Sequence, residues 1–233
     1  MYQHEGFPAG FIIMGNFMSK EFNVTGKSSE MYSQGFDRLY TVLVKPKYRI
    51  LLMSSYFVLL PGPGDATPCS SLLPMAPLLS DFTSSIANRI STLLGEQSKF
   101  ICSTNPCRIR HLSRRMIFCR SDLLNNLLSS SLLTSGTAMK TIPPSELTKM
   151  LINTVFGQGH ICPNKPGDST ILKHDAALLL YPLPDLVCIG DMSCPSFVES
   201  IQSTVFCNVE PFSATRSFLS YDAVSGHCQK FSI

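Results

Sequence analysis

Two short apolar runs, each ending in a loop that carries glycine, constrain the fold of this chain more than any other feature. Phe11-Ile12-Ile13-Met14 runs into Gly15-Asn16-Phe17, and Tyr56-Phe57-Val58-Leu59-Leu60 runs into Pro61-Gly62-Pro63-Gly64-Asp65. A short apolar run closed by turn residues reads as a buried strand. Between the two, Met31, Leu39, Tyr40, Val42 and Leu43 fall on one face of a helix. Strand, helix, strand predicts a β-α-β unit with parallel strands. It places both glycine loops at the carboxyl ends of the strands, where α/β folds carry their sites.

The same grammar continues along the chain. Residues 66–80, rich in Pro, Ser and Leu, read as loop. Phe82, Ile86, Ile90, Leu93 and Leu94 predict a helix over 81–95. A strand through Phe100 and Ile101 follows, then a turn at Asn105-Pro106 and extended segments over 107–112 and 116–119. Ser121-Asp122 is placed to cap a helix reaching Leu128. Residues 129–137 read as irregular. Leu147, Met150, Leu151 and Val155 form a helical stripe that stops at Gly157 and Gly159. The last third reads as strands at 185–190, 204–209, 216–221 and 228–233. No internal repeat interrupts this α/β pattern, and the longest apolar stretch, 50–60, is broken by Ser54 and Ser55 and is too short to cross a bilayer.

Composition narrows the function classes. At 233 residues and 44% hydrophobic, the chain can bury a real core. Only 15% of residues are charged, which suits a protein that covers part of its surface with a partner. A net charge of +3 is far from the footprint of a dedicated nucleic-acid binder. Nine cysteines, an odd number without repeating spacing, and a start lacking the features of a secretory signal point to reduced thiols inside a cell. Cys102 with Cys107, and Cys188 with Cys194, read as core thiols rather than zinc ligands.

Four loops follow apolar strands or helices: Gly15-Asn16-Phe17, Gly62-Pro63-Gly64-Asp65, Gly159-His160 and Gly190-Asp191. A two-metal hydrolase needs Asp, Asn and His delivered from several strand ends, with its cations about 3.5–4 Å apart. The order of these loops resembles the loop layout of the calcineurin-like phosphoesterases, while most of the ligands that layout uses are missing. Where the resemblance implies a bridging Asp this chain has Asn16, and an amide oxygen cannot bridge two cations as a carboxylate does. Asp65, His160 and Asp191 are the remaining candidates, too few and too dispersed for a binuclear centre. His160 also reads as a hydrogen-bonded structural histidine.

Two segments carry a family resemblance. Residues 174–186, His-Asp-Ala-Ala-Leu-Leu-Leu-Tyr-Pro-Leu-Pro-Asp-Leu, and 104–109, Thr-Asn-Pro-Cys-Arg-Ile, resemble the small (B) subunits of replicative DNA polymerase epsilon. The Gly15-Asn16-Phe17, Pro61–Asp65 and 158–163 segments match in the same order, so the resemblance spans about residues 7–212. It implies a calcineurin-like phosphoesterase fold, a β-sandwich flanked by helices, that has lost its activity. It also implies an accessory subunit of the polymerase epsilon complex in nuclear DNA replication. Such a protein holds and stabilises the catalytic subunit through the latter's zinc-bearing C-terminal region. DNA contact would be indirect or weak, with no membrane, cofactor, metal or small-molecule substrate. Against the family pattern, residues 1–233 are expected to form the phosphoesterase-like domain without its first strand and without a preceding oligonucleotide-binding barrel; residues 164–170 also depart from it.

Alternatives stay open at this stage. One is an active metal-dependent phosphoesterase; another is the small subunit of a related polymerase such as delta. Arg108, Arg110, Arg114 and Arg115 form a basic cluster that suits phosphates, an acidic strip on a partner, or a solvated hairpin. No aromatics interleave with them, which argues against base stacking. Tyr181, Pro182, Leu183, Pro184 and Asp185 form a stiff turn suited either to packing or to partner binding.

Overall fold

The computed structural model describes residues 6–68, 72–95, 99–130, 142–163 and 170–233. The expected irregular stretch 129–137 and the divergent 164–170 segment fall largely outside these residues. The chain forms two compact units, the first from residues 1–71 and 75–104 and the second from residues 72–74 and 105–233.

The first unit is built on a parallel three-stranded sheet, β1 (Gly10–Met14), β2 (Tyr56–Leu60) and β3 (Phe100–Cys102), in the order β1-β2-β3. The register pairs Phe11 with Phe57 and Met14 with Leu60, so both glycine loops leave the sheet at the same end. Helices α1 (Gly26–Leu43) and α3 (Ser80–Leu94) pack beside each other. On α3, Thr83, Ile86 and Ile90 are buried at spacings of three and four, the inward stripe expected of an amphipathic helix. On α1 the buried pair is Tyr32 and Phe36, whereas Met31 and Val42 are exposed. Of the expected stripe, Leu39, Tyr40 and Leu43 pack against the core with Tyr32 and Phe36, while Met31 and Val42 turn outward. Tyr32 and Phe36 bury more area, and Phe22 and Phe82 pack their rings against Tyr32.

A further helix, α2 (Pro46–Ser54), occupies half of the 50–60 run. The run is helix up to Ser54 and strand from Tyr56, with Pro46 in the first turn of the helix, where a missing N–H costs nothing. Ser55, between them, is fully buried and donates its hydroxyl to the Pro8 carbonyl.

The second unit contains a five-stranded sheet in the order β4-β5-β6-β8-β7: β4 (Cys107–His111), β5 (Arg114–Arg120), β6 (Leu186–Gly190), β7 (Phe197–Ile201) and β8 (Thr204–Asn208). The central strands β5, β6 and β8 are parallel; β4 and β7 are antiparallel edges. All five residues of β6 are buried, as a strand covered on both faces must be. Strand β7 has no counterpart among the sequence expectations, because Glu199 and Ser200 on a solvated edge break the apolar signal. A hairpin of β9 (Ser217–Tyr221) and β10 (Cys228–Ser232) completes the strands. Helices α4 (Leu123–Ser130), α5 (Pro144–Gln158) and α6 (Phe212–Thr215) and a 3-10 helix at Leu172–Leu178 connect them. Helix α5 buries Leu151, Ile152 and Val155 and ends at Gly159, whose φ of 62° is the left-handed cap that glycine accepts without strain. Among the described residues no helix is long and apolar enough to cross a membrane.

Candidate functional site

In the first unit the two glycine loops meet around Asp65. Its Oδ1 accepts the Phe17 N–H at 2.8 Å and the Tyr32 hydroxyl at 2.5 Å. Its Oδ2 accepts the Gly62 N–H at 2.8 Å. Tyr32 in turn accepts the Ala66 N–H at 3.2 Å, and Asn16 Oδ1 accepts the Gly64 N–H at 3.1 Å. Burial, and next the charge of Asp65, push the Tyr32 phenol far above its ordinary range, so it stays a neutral donor. The approach of the loops is close enough to require glycine. A Cβ on Gly15 would lie 1.9 Å from Asp65 Oδ2, and one on Gly62 would lie 2.2 Å from Asn16 Oδ1.

In the second unit the ends of β5, β6 and β8 carry a second buried carboxylate. Asp191 is fully buried. Its Oδ2 accepts the Leu124 N–H at 2.8 Å, and its Oδ1 accepts the Ser193 N–H at 2.7 Å and hydroxyl at 2.5 Å. The cap expected from Ser121-Asp122 is thus supplied from another loop. A carboxylate at a helix N-terminus satisfies an orphan N–H and the helix dipole together. Asp122 instead accepts Arg120 Nη1 at 2.9 Å and the Met192 N–H at 2.9 Å. Arg120 Nη1 also donates to the Gly190 carbonyl at 2.8 Å. Asn208 accepts the Asp191 N–H at 2.9 Å and donates to the carbonyls of Asp191, Cys194 and Pro195. Asn105, also fully buried, bonds both the N–H and the carbonyl of Arg120.

His160 uses both ring nitrogens. Nδ1 accepts the Cys162 N–H at 3.1 Å, so the neutral ring carries its proton on Nε2, which faces Asp175 Oδ1 at 3.2 Å.

These positions do not fit a bound metal. A cation at Asp65 or Asp191 would compete with the backbone and hydroxyl donors already on their oxygens, Asn16 directs its oxygen to Gly64, and His160 gives Nδ1 to the Cys162 N–H and faces Asp175 through Nε2. Among the described residues no three His, Cys, Asp or Glu side chains converge as a metal site. Sequence reasoning missed Tyr32 and Asn208, and it read Asn105 as a turn residue, Arg120 as part of the basic cluster and Ser193 only as part of a degenerate loop. One signal was available: Arg120 closes the apolar run Met116–Cys119, and a charge at the end of a buried strand needs a partner.

The basic cluster divides. Arg114 Nη1 pairs with Asp185 Oδ1 at 3.0 Å, and its other nitrogens reach the Ala223 and Val224 carbonyls in the β9–β10 turn. Arg108 donates to the carbonyls of Ala177 and Leu179, and burial lowers its pKa. Arg110 and Arg115 remain exposed. Asp185 accepts the Arg115 N–H at 2.8 Å; that bond, with Arg114, holds its carboxyl below the usual range. Tyr181 and Pro182 are exposed, while Pro184 is buried. The cysteines described, including Cys107, Cys188 and Cys194 in the core and the half-buried Cys102, form no disulfide.

The fold and site together define a mixed α/β protein whose strand-end loops are tied internally by carboxylates, amides and one guanidinium. The chain belongs to the DNA polymerase alpha/epsilon B-subunit family, whose model matches residues 1–199. It is 32% identical over 222 residues to the B subunit of DNA polymerase epsilon from Arabidopsis thaliana, covering 93% of this chain and 39% of that protein. It is 29% identical over 218 residues to DNA polymerase epsilon subunit 2 of Homo sapiens, covering 92% and 37%. The chain therefore spans under two fifths of the length of these relatives. Among solved structures, TT1561 of Thermus thermophilus aligns with a TM-score of 0.43 at 11% identity, over 96% of this chain and 86% of that one.

Proposed function

We propose that the chain serves as a non-catalytic accessory subunit of the DNA polymerase epsilon complex in nuclear DNA replication, where it holds and stabilises the catalytic subunit. Its scaffold is that of a calcineurin-like phosphoesterase whose metal positions have been turned to structural use. The observation that carries this reading is the fate of the acids at the strand ends. Asp65 and Asp191 both spend their oxygens on N–H and hydroxyl donors of their own unit. Membership of the polymerase B-subunit family supplies the partner class.

The test is co-expression with the catalytic subunit of polymerase epsilon from the same source. A stable one-to-one complex after gel filtration is expected. Failure of the two chains to co-purify, or Mn²⁺-dependent hydrolysis of bis-p-nitrophenyl phosphate that His160→Ala abolishes, removes the reading.

A further inference from the structure

We propose that residues 177–185 and the outward face of the β4–β5 hairpin form one docking surface, and that it receives an acidic segment of a partner polypeptide with Tyr181 as the anchor. This rests on the reading of the chain as a polymerase subunit and adds the face and the chemistry by which it holds its partner.

The strip is assembled by contacts at both ends. At one end Arg108, on β4, grips the carbonyls of Ala177 and Leu179. At the other, Asp185 accepts the Arg115 N–H and pairs with Arg114 on β5. The segment between is therefore fastened alongside the hairpin at two points and leaves Tyr181 and Pro182 outward. Tyr181 is 86% exposed and Leu179 41% exposed, although both flank the buried Leu180. A tyrosine held out by a pinned, proline-stiffened segment has little entropy left to lose on binding.

Charge selects the occupant. Arg108 and Arg110 alternate to one face of β4, and the register sets Arg115 directly opposite Arg110 on that face. The guanidiniums of Arg110 and Arg115 make no hydrogen bond or ion pair among the described residues. Two like charges directly opposite each other are unfavourable unless an anion joins them. Asp185 is paired with Arg114 while its carboxyl also feels the Arg115 charge, and Asp175 is paired with His160. An exposed aromatic anchor on a segment fastened to an arginine-bearing hairpin is the composition of a protein-binding hot spot. Two exposed guanidiniums are few for nucleic acid, since neutralising about two phosphates gives only a shallow salt dependence and weak affinity.

The experiment measures binding of the full chain to the polymerase epsilon catalytic subunit for wild type, Tyr181→Ala and the double variant Arg110→Glu/Arg115→Glu, at two salt concentrations. These side chains are solvent-exposed, so unchanged thermal unfolding is the control for folding. Each variant is expected to weaken the complex at least about tenfold, with the double variant also losing salt dependence. A wild-type complex that both variants form equally well overturns the surface and leaves the subunit reading standing. No wild-type complex removes both. A parallel titration with a fluorescein-labelled oligo(dT) covers nucleic acid. If the double variant loses that binding and keeps the polymerase, the acidic-segment proposal is overturned.

Discussion

Asp65→Asn separates a structural carboxylate from a metal ligand, because it keeps the shape and changes one acceptor into a donor. In the native loop Oδ1 receives at least two donors and Oδ2 at least one. An asparagine that keeps its oxygen at Oδ1 turns its NH₂ onto the Gly62 N–H; flipped, it faces the Phe17 N–H and the Tyr32 hydroxyl instead. Either way donor meets donor at a buried residue. A buried donor left unsatisfied costs about 1–3 kcal/mol, and the bonds that remain weaken when the acceptor loses its charge. Relief of the desolvated charge offsets part of this, leaving a net loss of about 2–4 kcal/mol. The first unit has about a hundred residues, for which each kcal/mol moves Tm by about 4–8 °C. Thermal unfolding followed by far-UV circular dichroism, with tyrosine absorbance as the second probe because the chain has no tryptophan, should show Tm falling by about 10 °C or more. Asp81→Asn, at an exposed residue of α3, is the control and should change little. A variant as stable as wild type, or more stable, would refute the reasoning. That is the behaviour of carboxylates kept strained for a ligand, which often gain stability when neutralised.

Three further outcomes follow from the second unit. Asn208→Ala strips partners from the Asp191 N–H, two buried carbonyls and the partly buried Pro195 carbonyl and should cost about 3–5 kcal/mol, read from the urea midpoint. Arg114→Ala releases the β9–β10 turn, losing about 1–2 kcal/mol, with faster amide exchange at Ala223–Cys228 and little change in β6. For Asp185 the folded pKa is depressed, so its contribution is complete above the unfolded value, about 3.9, and vanishes as pH falls through the lower folded value. The stability gap between wild type and Asp185→Asn should therefore be widest near neutrality and close in acid; a gap that grows as the solution is acidified contradicts the assignment.

The strand framework was legible because its signals are local. The expected strands at 185–190, 204–209, 216–221 and 228–233 each lie within one residue of β6, β8, β9 and β10 at either end. The α3 helix was equally plain from Ile86 and Ile90. What failed depended on partners remote in sequence. Nothing local marks Tyr32 as the inward residue of α1; its burial follows from Phe22, Phe82 and Asp65. The 50–60 run changes from helix to strand at Ser55 because that hydroxyl meets Pro8. The cap of α4 comes from Asp191, 67 positions from Leu124. Sequence reasoning could find the loops but not the donors that fill them.

An aspartate in a loop after a buried strand is ambiguous by its physics. Backbone N–H groups at strand ends and helix starts concentrate positive potential, which favours a carboxylate whether or not a cation is also present. The same residue type therefore suits a metal loop and a loop closed on itself. The neighbouring glycines separate the two cases. At Gly15 the missing side chain leaves room for Asp65 itself, since a Cβ would stand 1.9 Å from Oδ2 and 2.6 Å from the Gly62 nitrogen. At Gly62 the space is taken by Asn16. The volume next to the carboxylate is filled by the facing loop, so the negative charge is neutralised by amides it touches. In this chain the glycine pair, more than the loss of individual ligands, shows that the loops grip each other.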